Sequence, residues 1–203
     1  IRLSLVGSEM CIRDRLEIAD VTDTAADFQL AVMSLRQADI RSDLNVTEIP
    51  SPDKLAKHSL ALAAHVGAES HAAQADAGTG RFVLLNSDTP QEGWGGNFRI
   101  ICFAKSPLET DIGQDELITD VCWAWLEDSL KARGAGYTLQ AGTITRIISQ
   151  GYGSMSGQSD HAELELRASW SPTDSNFAAH LEAWQDLLCM MSGLPPESGL
   201  SRI

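Results

Sequence analysis

The chain has 203 residues, 43% of them hydrophobic, enough for one domain that buries its core without disulfide or metal staples. Its formal charge is -13, so its averaged field repels phosphate backbones and disfavours nucleic-acid binding through Lys and Arg. No apolar run approaches the roughly 18–20 residues of a membrane-spanning helix, so no membrane role is expected.

The first 15 residues, IRLSLVGSEMCIRDR, do not match the rest of the chain in pattern. The stretch SLVGSEMCIRDR resembles a translated sequencing-adapter peptide of the kind found fused to metagenomic reading frames. Residues 1–15 are therefore read as a non-native scar and 16–203 as a single α+β domain. The scar also fails as a signal peptide, because its apolar run covers only Leu3 to Val6.

Thr24-Ala25-Ala26-Asp27 reads as a capping box that opens a helix to about Gln37, with Phe28, Ala31, Val32 and Leu35 on one face. Leu44 to Ile49 alternates weakly and stops at Pro50-Ser51-Pro52, a strand before a turn. Leu60 to Val66 alternates too, but its alanines equally allow helix. Residues 67–80 read as a polar loop or weak helix. Two strand-like runs, 80–85 and 98–103, flank a loop rich in Asp, Pro and Gly from Asn86 to Asn97.

Asp115 to Arg133 is predicted as a helix, with acids early and Lys131, Arg133 and Gly134 at its end. It is apolar over a wide arc. Ile118, Val121, Cys122 and Trp125 form one stripe, and Trp123, Leu126 and Leu130 form a second about 100° round. Such a helix is buried on two sides or meets a partner. Thr143 to Gln150 follows as a β-branched strand. From Asp160 to Trp170 apolar Ala162, Leu164, Leu166, Ala168 and Trp170 alternate with polar residues, the period-2 mark of a half-buried strand. Ser171-Pro172 opens a last helix carrying Phe177, Leu181, Trp184, Leu188 and Met191, closed by Ser192-Gly193.

Strands grouped in hairpins between helices predict an α+β fold: a mainly antiparallel sheet of about five or six strands with two or three helices on one face. Of the four cysteines, Cys102, Cys122 and Cys189 sit in apolar elements without C-x-x-C spacing. They read as buried reduced thiols, and a cytoplasmic setting follows.

No reaction-class motif emerges. The five histidines lack metal-ligand spacing, and Ser159-Asp160-His161 are neighbours that cannot converge as a triad. The glycine-rich run 151–157 leads into a strand rather than a helix and lacks the P-loop lysine, so a hairpin connection is expected. Glu163, Glu165 and Arg167 on one strand face read as a solvated ladder, opposite Thr143 and Thr145 or Ile144 and Arg146 depending on register. No cofactor, metal site or catalytic residue is expected. Trp94, in Gly93-Trp94-Gly95-Gly96, either caps the core or binds something.

The runs GRFVLLNSD (80–88), W-x-x-N-FRI (94–100), CWAWLEDSLKARGA (122–135), AGTITRIIS (141–149) and ELRASW-SP, then AHLEAWQDLLCMMSGLPP up to residue 196, resemble, in order, an actinobacterial family known as domain of unknown function 3000. The resemblance implies no activity and no catalytic residues. The element order is also similar, by analogy alone, to the type III secretion chaperone-like fold, whose members bind other proteins, often as dimers.

Two readings of function stand. The first is a cytoplasmic, non-enzymatic protein-binding or chaperone-like module, or a homodimer, meeting its partner through Trp123, Leu126 and Leu130. The second is a small-ligand binder or enzyme with a site assembled around Trp94, Tyr152 and the loops 93–97 and 151–157.

Overall fold

The computed structural model describes residues 24–52, 55–67, 78–157 and 160–195. The proposed N-terminal scar, His71 and most of the expected 67–80 loop lie outside these. Six strands form one antiparallel sheet: β1 (Leu44–Ile49), β2 (His58–Val66), β3 (Thr79–Gln91), β4 (Gly96–Leu108), β5 (Tyr137–Ser149) and β6 (His161–Pro172). Their order is β1-β2-β3-β4-β6-β5. The chain thus leaves β4, crosses over helices to the far edge, and returns as β6 between β4 and β5. The helices are α1 (Thr24–Leu35), the short α2 (Thr110–Gln114), α3 (Ile118–Ala132) and α4 (Phe177–Met191). The α+β class, the antiparallel sheet and its six strands match expectation.

Period 2 decides which residues meet the helices. Phe82 pairs with Cys102, and Cys102 with Ala168, so Phe82, Leu84, Ile100, Cys102, Leu164, Leu166, Ala168 and Trp170 share one covered face and are buried. α4 is the central helix. Twelve of its fifteen residues are buried, more than one stripe, because it packs on the sheet with α1 and α3 alongside. Its start is fixed by Asn176, whose side chain accepts from the Ala179 N–H at 3.4 Å. Pro172, expected to open this helix, instead ends β6. α1 buries the four residues expected of it, and its Thr24 hydroxyl donates to Asp88 at 2.8 Å.

Gly80 lets α4 reach the sheet. A Cβ there would lie 2.7 Å from the Trp184 ring and 3.1 Å from the Phe103 carbonyl oxygen. In its absence Trp184 lies flat enough on β3 for its Nε1–H to donate to that same carbonyl at 3.2 Å. Overpacking of this kind costs about 1–3 kcal/mol, so Gly80→Ala is expected to lower the urea midpoint accordingly. An unchanged midpoint would show that the ring yields freely.

Two sequence expectations are corrected, one is shifted and one left open is decided. The 86–97 loop is mostly strand: Gln91 pairs with Gly96 after a register shift past Asn86, leaving a short turn at 92–95. β5 begins at Tyr137, six residues before the β-branched run. The helix expected from Asp115 is α3, which starts later at Ile118, after the Asp115 carboxylate accepts from the Leu117 N–H at 2.9 Å, and the short α2 before it was not expected. The ambiguous 60–66 segment is strand β2.

Candidate functional site

The face of the sheet away from the helices carries Arg81, Val83 and Leu85 of β3, Arg99, Ile101, Phe103 and Lys105 of β4, and Glu163 to Ser171 at odd positions of β6, placed together by register. Of the two registers left open for β5, the structure takes Thr143 opposite Arg167 and Thr145 opposite Glu165. Glu163 bonds Lys105 at 2.7 Å and His161 at 3.2 Å. The Lys105 ammonium holds the Glu163 carboxyl below its ordinary range. An open groove of about 700 Å³ runs beside them between Ile49, Ala63, Arg81 and Phe103. The Arg167 guanidinium sits over the Phe103 ring at 5.7 Å. This is the ladder expected from the sequence.

At one end of that face lies a second, shallow pocket. Arg99 is only 9% exposed. Its Nη1 donates to the Leu139 carbonyl at 2.9 Å and to Ser171 Oγ at 3.2 Å, and its Nη2 to Ser169 Oγ at 2.7 Å. All three acceptors are neutral. Burial pulls its pKa below the ordinary arginine value. Leu139 has φ of 52°, the sole non-glycine residue on the positive side among those described, in the irregular stretch between Thr138 and Ala141. Strain there aims its carbonyl at Arg99. Above the guanidinium a cavity of about 400 Å³ is lined by Leu55, Leu85, Trp94, Arg99, Ile101 and Ser169.

The expected partner surface on α3 is reorganised. Leu126 and Leu130 are each 1% exposed and belong to the core, because α3 turns its 118–122–126–130 stripe inward. They are not available to a partner. Trp123 is half-buried and covers the edge strand: a Cβ on Gly142 of β5 would lie 2.7 Å from its ring. Its Nε1–H donates to Glu127 at 3.1 Å. Trp123 remains at the surface, beside β5.

The second expected site separates. Trp94 sits in the β3–β4 turn, but Tyr152 follows β5 at the opposite end of the sheet and is 78% exposed. β4 spans the distance between those ends, about 40 Å for a strand of this length. The 93–97 and 151–157 loops cannot share a ligand. Trp94 lines the same pocket as Arg99.

A second ionic group is structural. Asp186, buried on α4, accepts from Arg41 at 3.0 Å and from Arg133 at 2.6 Å, and Arg41 also meets Asp43 at 2.7 Å. Burial opposes the Arg41 charge, yet its bonds to Asp43 and Asp186 outweigh it and raise its pKa. The group ties the segment after α1 and the end of α3 to α4. Buried Cys102 and Cys122 have thiols pushed up to about 12 by desolvation, so neither is a nucleophile near neutral pH. Among the described residues no three His, Cys, Asp or Glu side chains gather to hold a metal. No described helix is long and apolar enough to cross a membrane.

Arg99, Leu139, Ser169 and Ser171 were not singled out in the sequence. Sequence spacing gives them no common role, with Ser171 expected only to open the last helix, and the β4–β6–β5 register joins them.

Fold and surface together define an α+β protein whose sheet is helix-covered on one face, with an open face, an edge strand β5 unpaired on its outer side among the described residues, and a shallow pocket lined by an arginine. The family model described as protein of unknown function (DUF3000) matches residues 24–201, and the chain belongs to that family. Comparison with curated proteins and with solved structures finds no match.

Proposed function

We propose that this protein is a non-enzymatic protein-binding module that works by strand addition along β5, with a second copy of the chain as its first partner. The observation that carries this is the β5 edge flanked by Trp123. β5 pairs with β6 alone among the described strands and holds one charged residue, Arg146, in thirteen. Natural edges are blunted by shortness, charge or proline. The other edge obeys that rule: β1 has six residues, carries Glu48 and runs into Pro50 and Pro52. β5 has none of these guards beyond Thr138 to Ala141, where its irregularity lies.

In a chain of net charge -13, an acid-free strand is where two copies approach with least repulsion. Antiparallel self-pairing about Thr143 sets Arg146 opposite the partner's Gln140, so like charges do not meet. Trp123 from each copy then extends the contact on the helix side. The chaperone-like version of this reading adds a client to the same edge. The buried cysteines support a reducing, cytoplasmic setting.

Light scattering across a dilution series should find a dimer that dissociates on dilution. Thr143→Lys/Thr145→Lys, which places like charges along the pairing edge, should leave a folded monomer with unchanged circular dichroism. A wild-type chain monomeric at every concentration, or a dimer indifferent to both lysines, would end this reading.

A further inference from the structure

The geometry points to a binding site for an apolar carboxylate, such as an aryl or short acyl acid, in the open pocket lined by Arg99 and Trp94. It is separate from the β5 edge and stands without it. The first ground is charge pairing. The buried Arg41 meets two carboxylates, and the partly buried Arg133 likewise meets Glu182 and Asp186. Arg99, nearly as withdrawn from water, meets none among the described residues and is held there by neutral oxygens alone. A desolvated guanidinium without a counter-charge is the arrangement in which a bound anion restores balance.

The second ground is donor geometry. Ser169 and Ser171 spend their oxygens as acceptors toward Arg99, and neither hydroxyl hydrogen has an acceptor among the described residues. The Arg99 Nε–H makes no hydrogen bond there either, and it is not sealed from solvent. One cation and the Ser169 hydroxyl therefore face the cavity together, a fork that suits the two oxygens of a carboxylate. The third is the wall. Leu55, Leu85, Trp94 and Ile101 make the remaining lining apolar, and about 400 Å³ lies within the range of small-molecule pockets. Inorganic anions would leave that wall wet, whereas a flat organic acid covers it.

Titration calorimetry of the full chain with 2-naphthoate, 2-naphthamide and sodium phosphate tests this. Naphthoate should bind, and the neutral amide should bind about 10- to 100-fold more weakly, the worth of hydrogen bonds to a charged group. Arg99→Gln should abolish the difference between acid and amide. Trp94→Ala, at a surface turn, should weaken both ligands while keeping that difference, and it serves as the test should Arg99→Gln fail to fold. No heat with naphthoate, equal affinity for acid and amide, or phosphate binding as tightly as naphthoate would each overturn the assignment. The same titrations on the Thr143→Lys/Thr145→Lys chain keep this result independent of oligomeric state.

Discussion

Asp186→Ala is expected to destabilise the protein by about 3–5 kcal/mol, the usual loss when one partner of a buried ion pair is removed. The carboxylate is 4% exposed and receives Arg41 Nη1 and Arg133 Nε. Its loss leaves Arg41, whose Nε already lacks a partner, balanced by the half-exposed Asp43 alone. Arg41 also donates to the Pro195 carbonyl, and its own backbone N–H donates to Gln185 at 3.0 Å, so the segments on both sides of α4 loosen together. Urea unfolding reads the effect. Asp186→Asn keeps the shape and should recover a part of the loss. A drop comparable to that of an ordinary surface change, about 0.5 kcal/mol, would show that water replaces the carboxylate without penalty.

The second large effect is a pH dependence seated at His180. This residue is fully buried on α4, and its Nδ1 accepts from Trp170 Nε1–H at 3.0 Å, so the neutral ring carries its proton on Nε2. That nitrogen has no partner. Desolvation lowers the folded pKa to about 4 from an ordinary 6.5, only slightly opposed by Asp174. The unfolded chain therefore binds a proton that the fold refuses between those two values. Stability is fully present above pH 6.5 and falls as pH drops toward 4, by about 3 kcal/mol across the window. His180→Gln retains an acceptor for Trp170 and cannot titrate. Its stability should be flatter across the window, so the gap between the two proteins changes with pH. Parallel stability curves for the two chains would place the acid sensitivity in carboxylates elsewhere.

Legibility followed burial. β6 was readable because one face meets α4 and the other meets water, which writes a strict alternation from Ala162 to Trp170. α1 and α4 were readable for the same reason at helical spacing. The first half of β5 was not, since Thr138 to Gly142 are exposed and no apolar partner constrains their pattern. The β3–β4 tip misled because Asp88, Pro90 and Gly93 carry turn chemistry, while backbone pairing persists to Gln91. On α3 the buried stripe takes Ile118 and Cys122 from one expected stripe and Leu126 and Leu130 from the other, while Val121 is exposed, because sequence cannot say where on a wide apolar arc the neighbours pack. Leu126 and Leu130 went inward, and Trp123 settled over Gly142. The Arg99 cavity and the Asp186 cluster were illegible for a common reason. Each joins segments far apart in sequence, and nothing local marks a side chain whose partner arrives through tertiary register.

The insertion of β6 between β4 and β5 also governs how the molecule is made. The meander from β1 to β4 pairs only strands consecutive in the chain, whereas β4 must wait for β6, so low contact order leads one to expect the meander to form first. Its β4 flank, and the apolar surface reserved for α4, then stay bare until the β5–β6 hairpin returns from across α3. During that wait, a β5–β6–α4 unit from another copy fits the vacant flank as well as its own. Exchange of this hairpin between copies is therefore the expected failure at high concentration, and size-exclusion of chain refolded at rising concentration reads it.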